Sequence, residues 1–108
     1  MHDVMKGLYE VVLDRKEHPQ EGSYTCYLFD KGIDKILKKV GEECAETIIA
    51  AKNGENAATV EEICDLFYHV LVMMAQQNID IDDVAAVLEA RRQKIGNLKT
   101  MKQTDRNT

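Results

Sequence analysis

The chain has 108 residues, a hydrophobic fraction of 44% and a formal net charge of −5, and this length corresponds to a single domain. The acidic balance argues against a nucleic-acid-binding protein, because such proteins present a basic surface to the phosphates. No apolar run is long enough to span a bilayer, no signal-type segment opens the chain, and the three cysteines lack the spacing of a disulfide framework. We therefore expect a cytoplasmic protein with no membrane segment.

The first predicted helix lies before the chain's one proline, Pro19. Its apolar residues follow the three- and four-residue steps of one helical face: Val4, Leu8, Val11 and Val12. The helix must end before this proline, because the residue preceding a proline avoids the helical conformation. A loop is expected to follow over about 19–29, and it contains the polar stretch Gly22-Ser23-Tyr24-Thr25.

The second predicted helix covers about 30–53. One apolar stripe runs along it, formed by Ile33, Ile36, Leu37, Val40, Cys44, Ile48 and Ala51. Asp30 is the expected N-cap, and Gly54 provides a good stop because glycine adopts the left-handed conformation easily.

The third predicted helix begins at Asn56 or Thr59 and ends at about Gln77, and apolar residues cover most of its circumference. A helix of this kind must be buried on nearly all sides. Four helices from one short chain would hardly enclose it. We therefore expect a second subunit to supply the remaining cover, which makes the protein a homodimer.

The fourth predicted helix opens at Asp80, with Asp83 as an acidic variant of the capping box, and ends at Gly96. The residues beyond it are polar and lack a helical period. We expect one domain over residues 1–96 and a polar tail over 97–108. The fold class is all-α, a bundle-like domain of four to five helices that is completed by dimerisation.

Three glutamates, Glu42, Glu43 and Glu46, share one sector of the second helix, with Lys39 one turn earlier. On this helix alone, an ordinary solvated face is the more common explanation of such a charged stripe.

The third helix changes that balance. Glu62, Asp65 and His69 form a narrow stripe between apolar residues, where carboxylates need a cation or hydrogen-bond partners. Two simpler explanations stay open: Glu62 could form a capping box with Thr59, and His69 is more often a hydrogen-bonded core histidine than a metal ligand.

The two helices together predict a metal site. Glu43 with Glu46, and Glu62 with Asp65, are both spaced at i, i+3, so two antiparallel helices would present them to a common point. Such an all-oxygen set suits Mg²⁺ or Mn²⁺. Zinc is disfavoured because no Cys/His cluster has suitable spacing. A di-iron bundle is disfavoured because it would need a glutamate three residues before His69, where Leu66 stands.

Several blocks of the sequence resemble phosphoribosyl-ATP pyrophosphatase. They are Gly22 to Thr25, Lys35-Ile36-Leu37-Lys38-Lys39-Val40-Gly41-Glu42-Glu43, Glu46, Ala50 to Gly54, and Glu61-Glu62-Ile63-Cys64-Asp65-Leu66-Phe67-Tyr68-His69. The resemblance covers roughly residues 4 to 95. The broader pattern, Glu-Glu-x-x-Glu followed by Glu-x-x-Asp, is that of the all-α NTP pyrophosphatase superfamily. Cys44, Cys64 and Phe67 depart from the small or aliphatic residues expected there but keep the apolar character.

The resemblance implies a hydrolase of the second step of histidine biosynthesis, which converts phosphoribosyl-ATP to phosphoribosyl-AMP and pyrophosphate. It implies a helical homodimer that binds a nucleotide substrate and Mg²⁺, with Mn²⁺ as a substitute. The implied metal ligands are Glu43, Glu46, Glu62 and Asp65. The implied catalytic residues are Glu42, Glu43 and Glu46, with Glu42 as a base or further ligand. The implied substrate-binding residues are Lys39, Lys35, Ser23, Tyr24 and Thr25.

Two other functions remain open from the sequence. A housecleaning nucleoside triphosphate pyrophosphatase would share the metal motif, although the Gly22–Thr25 stretch and the Tyr68-His69 pair favour the biosynthetic enzyme. A non-catalytic dimeric helical adaptor would explain the apolar third helix but not two facing acidic stripes.

Overall fold

The computed structural model describes residues 1–96, which form five α-helices without a strand. The helices are α1 (His2–Glu17), α2 (Tyr24–Lys31), α3 (Ile33–Lys52), α4 (Asn56–Gln76) and α5 (Ile81–Gly96). The predicted all-α class is therefore confirmed, and the predicted tail over 97–108 lies outside the described residues. Within residues 1–96 no helix has the length and apolar character needed to cross a membrane.

The α3–α4 hairpin forms the centre of the fold, since these two helices share the most extensive helix–helix contact. A three-residue connection turns the chain back, as in antiparallel helical hairpins. Gly54 has φ of +73° there, and the N–H groups of Asn53 and Glu55 bond to the carbonyls of Ile49 and Ala50. The predicted stop at Gly54 is confirmed.

The predicted loop over 19–29 and the predicted N-cap at Asp30 are wrong. Residues 24–31 form the short helix α2, which Ser23 caps by accepting a hydrogen bond from the Cys26 N–H at 3.2 Å. Gly32, with φ of +92°, separates α2 from α3. Leu28 of α2 is fully buried in the core, so tertiary packing stabilises a segment too short to show a clear period.

The core lies where α1, α2, α3 and α4 meet. Its buried hydrophobic residues are Tyr9, Val12, Leu28, Ile36, Leu71, Val72, Met74, Ala75 and Ile81. Of the predicted face of α1, Val12 is buried in the core, whereas Val4, Leu8 and Val11 are exposed in the single chain. The Lys16 ammonium bonds to the Ala75 carbonyl at 2.7 Å and thereby ties α1 to the end of α4.

Helix α5 begins where the sequence predicts, with the Asp80 carboxylate accepting a hydrogen bond from the Asp82 N–H at 2.8 Å. It packs against α1, and Ile81 at its start is buried. An apolar groove of about 880 Å³ opens between α1, α3, α4 and α5, and its lining includes Cys44, Phe67 and Leu88. Part of the predicted α3 stripe is also exposed in the single chain: Leu37, Cys44 and Ile48.

Candidate functional site

Three carboxylates meet between α3 and α4. One oxygen each from Glu43, Glu62 and Asp65 lies within 4.8 Å of the other two. Glu43 precedes Gly54 by as many residues as Asp65 follows it, so the antiparallel hairpin brings them to the same level. We call Glu43, Glu62 and Asp65 the carboxylate cluster.

The cluster contains buried oxygens that no group of residues 1–96 satisfies. Glu43 is 6% exposed, and within residues 1–96 its Oε2 atom and the Oε2 atom of Glu62 are buried without a hydrogen-bond partner. Lys39 Nζ lies 3.8 Å from Glu43 Oε1 and 3.9 Å from Glu42 Oε1. This lysine therefore approaches only the edge of the carboxylate cluster. Buried carboxylate oxygens require positive charge or a donor, and a hard divalent cation provides the former. The residues therefore fit such a cation.

The raised pKa values of Glu62 and Glu43 also indicate that the cluster lacks positive charge. Burial raises the pKa of Glu62 to about 7, and the neighbouring carboxyl groups of Glu46 and Glu43 add to this effect. Burial and the carboxyl group of Glu46 likewise raise the pKa of Glu43. Glu62 thus holds a proton up to near neutral pH unless positive charge is brought to the cluster.

The fourth predicted ligand, Glu46, lies beside the cluster. Its side chain is exposed and its oxygens are outside the group that meets within 4.8 Å, yet its charge raises the pKa of both Glu43 and Glu62. Glu42 is also exposed and faces Lys39. Lys35 stands one turn before Lys39 on α3 and is half-buried, and among residues 1–96 only Lys39 of these two forms ion pairs with the glutamates of α3.

The hydroxyl residues at the start of α2 have separate environments. The Ser23 side chain caps α2, and the Thr25 hydroxyl shares a hydrogen bond with the Tyr68 hydroxyl. Tyr24 is 46% exposed and lies close enough to the carboxylates for Lys39 and Glu43 to influence the pKa of its phenol, which burial raises. Tyr24 therefore lies within electrostatic range of the charged groups of the site.

A buried histidine forms a hydrogen bond with Tyr24. His69 is 5% exposed, its Nδ1 donates to the Asp65 carbonyl at 2.7 Å, and its Nε2 lies 3.1 Å from the Tyr24 hydroxyl. The prediction of a hydrogen-bonded core histidine is confirmed. The link to Tyr24 was missed, because the sequence placed Tyr24 in a loop of undefined course; the Tyr68-His69 pair on the acidic face of α4 was the available signal.

Comparison with known proteins identifies the family. A family model described as phosphoribosyl-ATP pyrophosphohydrolase matches residues 5–92. A Clostridium botulinum protein named phosphoribosyl-ATP pyrophosphatase is 52% identical over 103 residues, which cover 95% of this chain and 94% of the relative. Proteins of the same name from Pelotomaculum thermopropionicum and Listeria welshimeri are 58% and 51% identical, over 85% and 94% of this chain and 94% and 98% of the relatives.

The chain belongs to the phosphoribosyl-ATP pyrophosphohydrolase family. The family resemblance predicted from the sequence is thereby confirmed. The span that matches the phosphoribosyl-ATP pyrophosphohydrolase family contains the whole carboxylate cluster, together with Tyr24 and His69. Similarity to this family therefore extends over the elements that form the site.

Proposed function

We propose that this chain hydrolyses phosphoribosyl-ATP to phosphoribosyl-AMP and pyrophosphate, the second step of histidine biosynthesis, in the cytoplasm. Membership of the family supports the substrate and the reaction. The observation that carries the chemistry is the carboxylate cluster, whose buried oxygens lack partners among residues 1–96.

The cluster is the proposed site of Mg²⁺, with Mn²⁺ as a substitute. Glu43, Glu62 and Asp65 would hold the ion, and the adjacent Glu46 would complete the set with a small movement of its exposed side chain. A bound divalent ion neutralises triphosphate oxygens and polarises the phosphorus–oxygen bond that breaks. An acidic protein can then bind an anionic substrate without net repulsion.

The chain's own residues supply the other functions. Lys39, at the edge of the cluster, is positioned to bind phosphate oxygens and to exchange its contacts with Glu42 and Glu43 for them. Glu42 is released by that exchange and accepts a proton from the attacking water. The water oxygen bonds to phosphorus as the anhydride bond breaks, and pyrophosphate leaves. Lys35 is a peripheral candidate for phosphate binding.

The hydroxyl residues contribute unequally to substrate binding. Tyr24 is the direct substrate contact in this proposal, because its ring is half exposed beside the charged residues of the site. Ser23 acts through the cap that starts α2, and Thr25 acts through its hydrogen bond to Tyr68.

The second part of the proposal is a homodimer. Large hydrophobic side chains on α3, α4 and α5 are exposed in the single chain, including Ile48, Val60 and Leu88. They accompany the apolar groove between α1, α3, α4 and α5. An apolar surface of this extent is typical of a subunit interface, and a second copy of the chain would cover it.

The test is pyrophosphate release from phosphoribosyl-ATP, from ATP and from deoxynucleoside triphosphates, each with Mg²⁺ and with a chelator. Magnesium-dependent release confined to phosphoribosyl-ATP is the expected result. Release mainly from the other triphosphates would indicate a housecleaning pyrophosphatase with the same metal chemistry. No release from any substrate would favour a non-catalytic helical adaptor.

A further inference from the structure

The hydrogen bonds of His69 determine which way the Tyr24 hydroxyl points its proton. A carbonyl oxygen only accepts, so the bond between His69 Nδ1 and the Asp65 carbonyl, at 2.7 Å, places a proton on Nδ1. The ring bonds to a carbonyl oxygen and to a phenol, and the neutral tautomer that satisfies both partners has its proton on Nδ1. In the neutral ring Nε2 then has no proton and accepts a hydrogen bond.

It follows that the Tyr24 hydroxyl donates to His69 Nε2 across the 3.1 Å that separate them. The two rings also pack edge to face, with their centroids 5.8 Å apart, which holds the phenol beside the imidazole. The phenol has one proton, so its oxygen offers only lone pairs to any other group. Tyr24 therefore presents an acceptor, although a free tyrosine would offer either a donor or an acceptor.

This orientation selects the kind of substrate atom that Tyr24 can bind. Phosphate oxygens at neutral pH are mostly deprotonated and accept hydrogen bonds, so they do not pair with an acceptor. Ribose hydroxyls and the adenine amino group are donors, and both belong to the nucleoside part of the substrate. Tyr24 is half exposed and is linked through His69 to Asp65 of the carboxylate cluster, so a nucleoside attached to phosphates bound at the cluster could reach its hydroxyl.

We propose that His69 is a positioning residue that holds the Tyr24 hydroxyl as a hydrogen-bond acceptor for a donor on the nucleoside part of the substrate. The inference rests on the proposed function, since it takes phosphoribosyl-ATP as the substrate. It also separates two roles within α4: the Asp65 carboxylate faces the cluster, whereas its carbonyl orients the histidine that orients Tyr24.

Two replacements of His69 separate its two hydrogen bonds. In His69→Gln the side-chain oxygen stands near the position of Nε2 and accepts from Tyr24. In His69→Asn the amide nitrogen stands near Nδ1 and donates to Asp65, but Tyr24 loses its partner. Tyr24→Phe removes the hydroxyl itself, and Tyr27→Phe is the matched control on the neighbouring ring, whose centroid lies 6.0 Å from that of Tyr24.

Steady-state kinetics with phosphoribosyl-ATP, and inhibition by the products phosphoribosyl-AMP and pyrophosphate, provide the test. For Tyr24→Phe and His69→Asn we expect KM and the inhibition constant of phosphoribosyl-AMP to rise about 5- to 10-fold, as for one lost hydrogen bond, with kcat little changed. The inhibition constant of pyrophosphate should stay at the wild-type value. His69→Gln and Tyr27→Phe should resemble the wild type, and the double variant His69→Asn/Tyr24→Phe should lose no more than either single one.

Nitrogen NMR of His69 in the free enzyme is the readout independent of activity, and it should show the proton on Nδ1. A proton on Nε2 in the neutral ring, weaker pyrophosphate inhibition in Tyr24→Phe, or additive losses in the double variant would each overturn the inference. Thermal unfolding identifies any variant that does not fold. If a His69 variant does not fold, the kinetics of Tyr24→Phe decide whether the inference holds. Absence of phosphoribosyl-ATP hydrolysis by the wild type would reject the proposed function and this inference together, whereas the variant results reject the inference alone.

Discussion

At the scale of single residues, Glu43 shows how folding and chemistry meet in this site. Its side chain is 6% exposed, and its Oε2 atom has no hydrogen-bond partner within residues 1–96. Burying a carboxylate without full compensation reduces the free energy of unfolding. A cation bound at the cluster would offset this unfavourable burial. We therefore expect metal binding to increase the free energy of unfolding.

Glu46 allows that link to be tested without disturbing the core, because its side chain is exposed. We expect Glu46→Gln to lower kcat/KM by at least about 100-fold, since it removes one charge from the metal site. The melting temperature without metal should stay the same or rise, because loss of the Glu46 charge relieves its repulsion of Glu43 and Glu62. Its further rise on addition of Mg²⁺ should be smaller than in the wild type. Glu61→Gln, an exposed change of the same chemistry outside the cluster, is the control. Activity near the wild-type value in Glu46→Gln would remove this residue from the metal site.

The pKa of Glu62 predicts a pH dependence of stability. Between the ordinary value of 4.5 and the raised value of about 7, folded protein keeps a proton that the unfolded chain has released. The free energy of unfolding of the metal-free protein therefore falls as the pH rises through this window. Glu62→Gln cannot titrate, so its melting temperature in chelator should fall less between pH 5 and pH 8, while Glu61→Gln keeps the wild-type slope. Equal slopes in both variants would contradict the raised pKa.

At the scale of elements, the long helices could be predicted from the sequence and the short one could not. Stripes of apolar residues, the left-handed stop at Gly54 and the cap at Asp80 define α3, α4 and α5. The facing i, i+3 carboxylate pairs likewise predicted that Glu43, Glu62 and Asp65 meet. Helix α2 spans eight residues, too few to show a period, and it is fixed by the Ser23 cap and the burial of Leu28. Because the sequence did not predict α2, it did not predict the Tyr24–His69 contact either, since Tyr24 is the first residue of that helix.

The junction between α2 and α3 depends on the backbone of Gly32. This residue has φ of +92° and ψ of −175°, a region that other residues rarely adopt, although a Cβ atom there would have no atom of residues 1–96 within 4 Å. We expect Gly32→Ala to cost about 1–3 kcal/mol through backbone strain alone. Gly7→Ala, inside α1 and with equally free space, should instead stabilise by about 0.5–1 kcal/mol. Urea unfolding of both variants tests this difference of sign, and stabilisation by Gly32→Ala would show that the junction is not constrained.

At the scale of the whole molecule, the single chain leaves apolar residues exposed on α3, α4 and α5, and α3 and α4 also hold the carboxylate cluster. α5 contributes Val87 and Leu88, and α3 contributes Ile48 only a few residues beyond Glu43. A second copy that covered these residues would also restrict the movements of α3 against α4. Since the carboxylate cluster lies between those two helices, we expect subunit association to stabilise the site geometry as well as the fold.

A charge on the exposed apolar side of α5 tests the dimer directly. Leu88 is 58% exposed and lines the apolar groove, so Leu88→Glu would place a carboxylate in the proposed interface. We expect light scattering at micromolar concentration to give a dimer for the wild type and a monomer for this variant, because burying an unpaired charge opposes association. Ala86→Glu, which points to the other side of the same helix and is also exposed, should remain dimeric. A dimeric Leu88→Glu would place the interface elsewhere, and a monomeric wild type would mean that the apolar groove stays open to solvent or receives a different partner.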